Sequence, residues 1–104
     1  MSNEDYRYKD IDEMLTGRLR LAIMAFLMTA RESDFVELVE VTEATKGNLG
    51  AQIQKLENAG YIAVEKGYLG RRSHMTVSIT ETGSSAFLTH LSRLNRMIDD
   101  KQSH

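Results

Sequence analysis

The sequence predicts a mainly helical α+β fold in which three helices precede a two-stranded hairpin and a last helix. A chain of 104 residues has the length of one domain. Its apolar residues recur at three- and four-residue steps up to residue 59 and again after residue 80. Between residues 61 and 79 the pattern changes to alternation, with many β-branched residues, which is typical of strands.

The amino-terminal third predicts one frayed segment and two helices. Residues 1–9 are polar and are expected to be flexible. Helical spacing then extends from residue 10 to residue 30, with an interruption at Gly17. Glycine costs about 1 kcal/mol in a helix interior, so we expect a short helix at 10–15 and a longer one at 17–29, with one continuous helix as the alternative.

Two further helices are predicted over 34–42 and 45–59, joined by a short turn. Asp34 can cap the first of them and Thr45 the second. Gly60 follows the second helix, where a left-handed residue often ends a helix. Two helices joined in this way are typical of a helix-turn-helix.

A hairpin and a last helix complete the chain. The strands are predicted at 61–66 and 75–79, with a basic, glycine-bounded tip of several residues at 67–74. Thr80 can cap the last helix, over about 80–101. A basic hairpin directly after such a helix pair makes a winged helix-turn-helix, so we treat residues 10–104 as one domain of this fold.

The charges are distributed unevenly, although the net charge is only −2. Residues 1–43 carry ten acidic and five basic side chains, whereas residues 44–75 carry five basic and two acidic ones. Residues 76–104 are balanced. A locally basic segment can attract a phosphate backbone even when the net charge of the chain is negative.

Several function classes are disfavoured by what the sequence lacks. Cysteine is absent, which excludes a disulfide scaffold, a thiolate metal site and a cysteine nucleophile. The three histidines are scattered, and no metal-ligand spacing or phosphate-binding glycine pattern occurs. We therefore predict no enzyme, no catalytic residue, no metal and no cofactor. The longest apolar run, 21–28, is too short to cross a bilayer, and we expect a cytoplasmic protein without membrane contact.

The outward face of the predicted helix 45–59 carries small and polar residues suited to a DNA major groove. Asparagine and glutamine can pair with adenine, and alanine can meet a thymine methyl group. Gly47 and Gly50 are unexplained on an ordinary solvated face, which is the alternative interpretation, but they would permit close backbone approach. The predicted major-groove residues are Thr45, Lys46, Gly47, Asn48, Ala51, Gln54 and Lys55.

The hairpin, or wing, carries basic residues that can neutralise phosphates or enter a narrow minor groove. A merely solubilising loop tip would have a similar composition, but its place directly after the candidate recognition helix favours DNA contact. The predicted wing contacts within 66–74 are Lys66, Arg71, Arg72, Ser73 and His74.

The terminal helices hold more apolar residues than a small core needs, which predicts a homodimer. Burial within one chain is the alternative for some of these residues. A two-fold dimer would place two recognition helices about one DNA turn apart, over a palindromic site. The predicted interface residues are Ile11, Met14, Leu15, Phe87, Leu91, Leu94 and Ile98.

Five segments carry a family resemblance. They are Leu19-Arg-Leu-Ala-Ile-Met, Asp34-Phe-Val-Glu-Leu, the block from Thr45 to Ile62, Gly70-Arg-Arg, and Ile79-Thr-Glu-Thr-Gly. Over about residues 12–95 the chain resembles the small MarR/ArsR-like winged-helix transcriptional regulators. The resemblance implies a homodimeric DNA-binding repressor or activator whose terminal helices form the interface. The wing departs from the family pattern in lacking proline, and the recognition helix in carrying glycine and alanine where longer polar side chains are common.

Taken together, the sequence predicts a sequence-specific regulator that binds double-stranded DNA. We expect a homodimeric repressor that reads a palindromic operator with helix 45–59 and the wing at 66–74. The alternative is a dimeric winged-helix module for protein–protein interaction without useful DNA binding, favoured by the net charge of −2 and the thin glycine and alanine surface. Salt-dependent DNA binding distinguishes the two. The six methionines favour ordinary core packing, and an effector pocket between the first and last helices is the alternative interpretation.

Overall fold

The computed structural model describes residues 7–102, with side chains for residues 7–98. Residues 1–6 of the segment expected to be flexible lie outside the described residues. The element order matches the predicted winged helix-turn-helix, with one strand added. The elements are two single 3-10 turns at Tyr8–Asp10 and Glu13–Leu15, then α1 (Arg18–Ala30), β1 (Glu32–Asp34), α2 (Phe35–Thr42), α3 (Lys46–Asn58), β2 (Ile62–Leu69), β3 (Arg72–Ile79) and α4 (Glu81–Gln102).

The short helix predicted at 10–15 is wrong, because the two 3-10 turns occupy this segment. The Asp12 carboxylate accepts a hydrogen bond from the Met14 backbone N–H at 3.0 Å, a local bond that competes with helix formation. Asp12 also accepts a hydrogen bond from the Tyr61 hydroxyl. Burial, followed by the hydrogen bond and the charge of Asp12, raises the pKa of Tyr61 to about 12.

One apolar core lies among the helices and the inner face of the sheet. Helix α1 contributes three residues at helical spacing, and α3 contributes another three, as the periodicity predicted. No helix among residues 7–102 is both long and apolar enough to cross a membrane. The buried apolar residues are Leu15, Ile23, Met24, Leu27, Leu38, Leu49, Ile53, Leu56, Ile62, Val77 and Phe87.

The sheet has three antiparallel strands in the order β1-β3-β2. Strand β1 was not predicted, because it is three residues long and only Ser33 is buried. Ser33 lies opposite Val77 of β3. The Ser33 hydroxyl donates to the Glu37 carboxylate at 2.6 Å, which satisfies this buried polar group.

The wing differs from the prediction in the length of its strands. Residues 67–74 were expected to form a tip of several residues, but Leu69 pairs with Arg72, so only Gly70 and Arg71 form the turn. Gly70 has φ +64°, a value that two-residue hairpin turns require and that glycine adopts without strain. Backbone pairing thus continues past residue 66 through Tyr68 and Leu69, and on β3 through the polar residues 72–74.

A compact junction joins the base of the wing to both neighbouring helices. The Thr80 hydroxyl donates to the Gly60 carbonyl at 2.6 Å and accepts from the Gly83 N–H at 3.0 Å. The Thr80 N–H donates to the Tyr61 carbonyl at 3.1 Å. Gly60 has φ +82°, the left-handed conformation predicted after α3.

Gly83 allows the first turn of α4 to lie directly against this junction. A Cβ atom at position 83 would lie 2.9 Å from the Tyr61 carbonyl carbon and would overlap its oxygen. The obstacle is backbone, which cannot rotate away as a side-chain end can.

We expect Gly83→Ala to lower the free energy of unfolding by about 1–3 kcal/mol, because the added methyl group forces the helix off the junction. Gly50→Ala is the matched control, since a Cβ there meets no atom within 4 Å. Its unfolding free energy should rise by up to about 1 kcal/mol from helix propensity. Urea unfolding followed by circular dichroism measures both, and a stabilised Gly83→Ala protein would contradict the packing described.

Candidate nucleic-acid interface

Two side-chain caps set the start of α2 and the start of α3. The Asp34 carboxylate accepts from the Glu37 N–H at 2.7 Å, and the Thr45 hydroxyl accepts from the Asn48 N–H at 3.2 Å. Both predicted caps are therefore confirmed. The turn between the helices passes through Glu43 in the left-handed conformation, with φ +56°. Helix α3 consequently begins at Lys46, and Lys46, Gly47 and Asn48 of its first turn are exposed.

Helix α3 divides into a buried and an exposed face. Leu49, Ile53 and Leu56 face the core. The opposite face projects no large apolar side chain. All seven residues predicted for the major groove are exposed, namely Thr45, Lys46, Gly47, Asn48, Ala51, Gln54 and Lys55.

The two glycines of α3 have no packing role within this chain. A Cβ atom at Gly47 or at Gly50 would meet no other atom within 4 Å. Alanine at either position would favour the helix by up to about 1 kcal/mol. Their presence is therefore a cost to the isolated domain, and it leaves the helix backbone open to close approach from outside.

The predicted wing residues do not share one surface. Side chains two residues apart on a strand lie on the same side of the sheet, as do directly paired residues. Lys66 therefore shares a side with Tyr68, and Tyr68 with its partner Ser73. Arg72 and His74 lie on the other side. Arg71 occupies the turn itself.

His74 differs from the other wing residues in having a partner within the chain. Its Nε2 lies 3.7 Å from the carboxylate of Asp34, the cap of α2. Lys66, Arg71, Arg72 and Ser73 are exposed, whereas His74 is half-buried. This contact links the wing to α2.

Two of the residues predicted for a dimer interface are enclosed by their own chain, which corrects that prediction. Leu15 and Phe87 belong to the core, because the 3-10 turn and the first turns of α4 fold onto it. Ile11 and Met14 are half-buried. The predicted residues that remain exposed, Leu91, Leu94 and Ile98, are on α4. Leu88 is also exposed and shares their helical spacing, but it was not predicted. The exposed fractions are Leu88 54%, Leu91 40%, Leu94 38% and Ile98 53%.

Other surface features also escaped sequence analysis. Tyr68 and Leu69 are exposed apolar residues beside the wing turn, and extending the strand alternation past residue 66 would have located them. Arg20 and Gln52 hydrogen-bond to each other next to Asn48, a contact that no local pattern signals. Among residues 7–98, no group of three or more histidine, aspartate or glutamate side chains is placed to hold a metal ion.

The comparisons with known proteins agree with this geometry. The family model for the winged helix DNA-binding domain matches residues 19–98. The chain is 30% identical to an uncharacterized protein of Methanocaldococcus jannaschii over 73 residues, which are 70% of this chain and 79% of that protein.

Solved structures extend the comparison over nearly the whole chain. The structure of a transcriptional regulator homologue from Pyrococcus horikoshii OT3 is similar, with a TM-score of 0.79 and 31% identity over 94% of this chain and 93% of that one. A MarR protein from Peptoclostridium difficile has a TM-score of 0.66 and 20% identity, covering 97% of this chain and 63% of that one. At that identity the second likeness shows the shared fold.

Proposed function

Because this chain belongs to the winged helix DNA-binding domain family, we propose that it is a sequence-specific regulator of transcription, acting in the cytoplasm on double-stranded DNA as a homodimer. It is not an enzyme, since the family and the similar structures are DNA-binding domains and regulators. The observation that carries the proposal is the exposed face of α3, which consists of small and polar residues and is followed in the chain by a basic wing.

Helix α3 would enter the major groove with its exposed face. Because Gly47 and Ala51 have no long side chain, the backbone of α3 would be able to lie deep in the groove. Gln54 would hydrogen-bond to base edges, for which glutamine and adenine are a good match. Lys46 lies in the first turn of α3, where the positive end of the helix also favours phosphate.

The wing would contact the flanking DNA backbone through its basic residues. Arg71 is the residue placed to enter a minor groove, because it occupies the turn at the end of the hairpin. Arg72 and Lys66 project from opposite sides of the hairpin and would contact phosphates on either side. His74 would instead hold the wing against α2 through Asp34.

A second copy of the chain would cover the exposed apolar face of α4. This face is formed by Leu88, Leu91, Leu94 and Ile98, and burial of such side chains stabilises association. A two-fold dimer would present two α3 helices, about one DNA turn apart, to a palindromic operator. Repression would follow from occupation of a promoter.

A second candidate function is favoured by a different surface. Val36 and Tyr68 are exposed apolar residues. A groove of about 430 Å³ runs between α2 and the wing, and Val36, Tyr68 and Met75 are among the residues that line it. Such a surface suits a protein partner, so a winged-helix interaction module is the alternative. It would show no salt-dependent DNA binding at low ionic strength.

We expect the double variant Arg71→Ala, Arg72→Ala to weaken binding to every duplex, because backbone contacts carry no sequence information. The negative slope of log affinity against log salt should become shallower by about 0.9 for each phosphate that the variant no longer neutralises. Fluorescence anisotropy against a randomised duplex pool at several salt concentrations measures this. Gln54→Ala is the contrast, since it should change which sequences bind and leave the slope as it was. An unchanged slope in the arginine variant would remove the wing from the mechanism.

Gly47→Ala separates fold stability from DNA binding. The free protein should be as stable as the wild type or more so, because the methyl group meets nothing within 4 Å. Its affinity for the operator should fall, by an amount on the order of tenfold for a loss of about 1.4 kcal/mol, since the methyl group separates α3 from the groove. Undiminished affinity would show that α3 does not approach DNA closely at this point.

The dimer is tested with Leu91→Glu, Ile98→Glu, which places two charges in the exposed apolar face of α4. We expect light scattering to report a dimer for the wild type and a monomer for this variant, with affinity for a palindromic duplex falling as well. Thr89→Glu is the control, because Thr89 is exposed on another side of the same helix and should stay dimeric. A monomeric wild-type protein would exclude the homodimer.

A further inference from the structure

The exposed amide of Asn48 is bonded to Gln52, which is bonded in turn to Arg20 of α1. The Gln52 amide nitrogen, Nε2, donates to Oδ1 of Asn48 at 3.1 Å. Nη1 of Arg20 donates to Oε1 of Gln52 at 2.6 Å. Two consecutive hydrogen bonds therefore connect α1 to the exposed face of α3.

Arg20 is itself held in one place. Its Nε donates to the Met14 carbonyl at 3.0 Å, and its Nη2 donates to the Glu13 carbonyl at 3.4 Å. Gly17 leaves room for the guanidinium, because a Cβ atom there would lie 2.8 Å from both Cζ and Nη2 of Arg20. The half-buried side chain is thus enclosed by glycine on one side and by backbone acceptors on another.

The donor chemistry of arginine decides the direction of both amides. A guanidinium has five donors and no acceptor. Gln52 therefore turns its oxygen to Arg20, which leaves its nitrogen facing Asn48. Because that nitrogen donates, Asn48 turns its oxygen inward and its own nitrogen, Nδ2, outward. Arg20 thus determines, through Gln52, that the outward-facing polar group of Asn48 is the donor Nδ2.

We propose that Arg20 is a positioning residue for DNA recognition, which sets Asn48 to donate toward an acceptor on a base edge. The proposal rests on the DNA-binding function proposed above. The major-groove acceptors are N7 of the purines, O6 of guanine and O4 of thymine, whereas cytosine presents only a donor. Cytosine is therefore disfavoured opposite Asn48. An asparagine with a free oxygen would instead have paired with adenine through both of its polar atoms.

Gln52→Glu tests the direction of the amide. A carboxylate accepts from Arg20 but cannot donate to Asn48, so Asn48 should turn its nitrogen inward and its oxygen outward. We expect preference at one base pair to move roughly tenfold toward cytosine or adenine, the bases that present an amino donor. Selection from a randomised duplex pool, followed by sequencing, measures the change.

Asn58→Asp is the matched charge control for this variant. It adds the same charge to α3 at an exposed position near its end, so it should keep the wild-type motif even where overall affinity falls. A Gln52→Glu protein that selects the wild-type motif would overturn the proposal.

Substitutions of Arg20 test the positioning role from the other end. Arg20→Met removes every donor, so preference should relax at the same base pair that Asn48→Ala relaxes, with the salt slope unchanged. Arg20→Lys still offers only donors and should keep the preference. Equal loss of affinity on all sequences in Arg20→Met, with the motif intact, would contradict the proposal. Thermal unfolding checks that each variant is folded.

A measurement on the free protein separates this proposal from the DNA-binding function. The side-chain amide resonances of Asn48 should shift in Arg20→Met and stay near their wild-type positions in Arg20→Lys. Unchanged resonances in Arg20→Met would overturn the positioning role even where DNA binds. Conversely, a wild-type protein that binds no duplex in a salt-dependent way would overturn the DNA-binding function, and the recognition role of Arg20 with it.

Discussion

The hydroxyl of Thr80 is the contact on which the arrangement of the other elements depends. It donates to the Gly60 carbonyl at the end of α3 and accepts from Gly83 in the first turn of α4. The wing leaves the domain at Tyr61 and returns at Thr80, and these two residues are hydrogen-bonded through their backbones. Both ends of the wing, the end of α3 and the start of α4 are therefore held by one small cluster, so the wing and α3 keep a fixed relative placement.

Helix α3 is anchored from one side, which leaves its outer face exposed. Three apolar residues on the inner side anchor it, and the Thr45 hydroxyl caps its start. Those interactions hold the helix without help from the outer side. The outer side can therefore carry Gly47 and Ala51, which contribute little to stability. Small residues at such a place are understandable where another molecule must come close.

The charge pattern fits this division of labour. The chain is acidic as a whole, with a net charge of −2, yet the segment from α3 through the wing is basic. Attraction to a phosphate backbone is local, because charges beyond about 10 Å are screened at ordinary ionic strength. The acidic amino-terminal third therefore does not cancel the local positive charge of the segment from α3 through the wing. Asp12 and Asp34 are moreover engaged within the chain, by Tyr61 and His74 respectively.

The sequence by itself determined the features that depend on near neighbours. Helix spacing, the caps at Asp34, Thr45 and Thr80, and the left-handed Gly60 all follow from residues within one or two turns of each other. The exposed residues of α3 could be identified for the same reason, because helical periodicity alone separates the two faces of a helix.

Only the tertiary structure decided the features that depend on distant partners. Strand β1 exists because Glu32–Asp34 pairs with β3, more than forty residues away, and three polar residues carry no strand signal of their own. Leu15 and Phe87 could be assigned to the core only once the segments that cover them were placed. The link from Arg20 to Asn48 likewise joins two helices. Hydrogen bonds between side chains far apart in the sequence produce no periodic pattern from which they could be predicted.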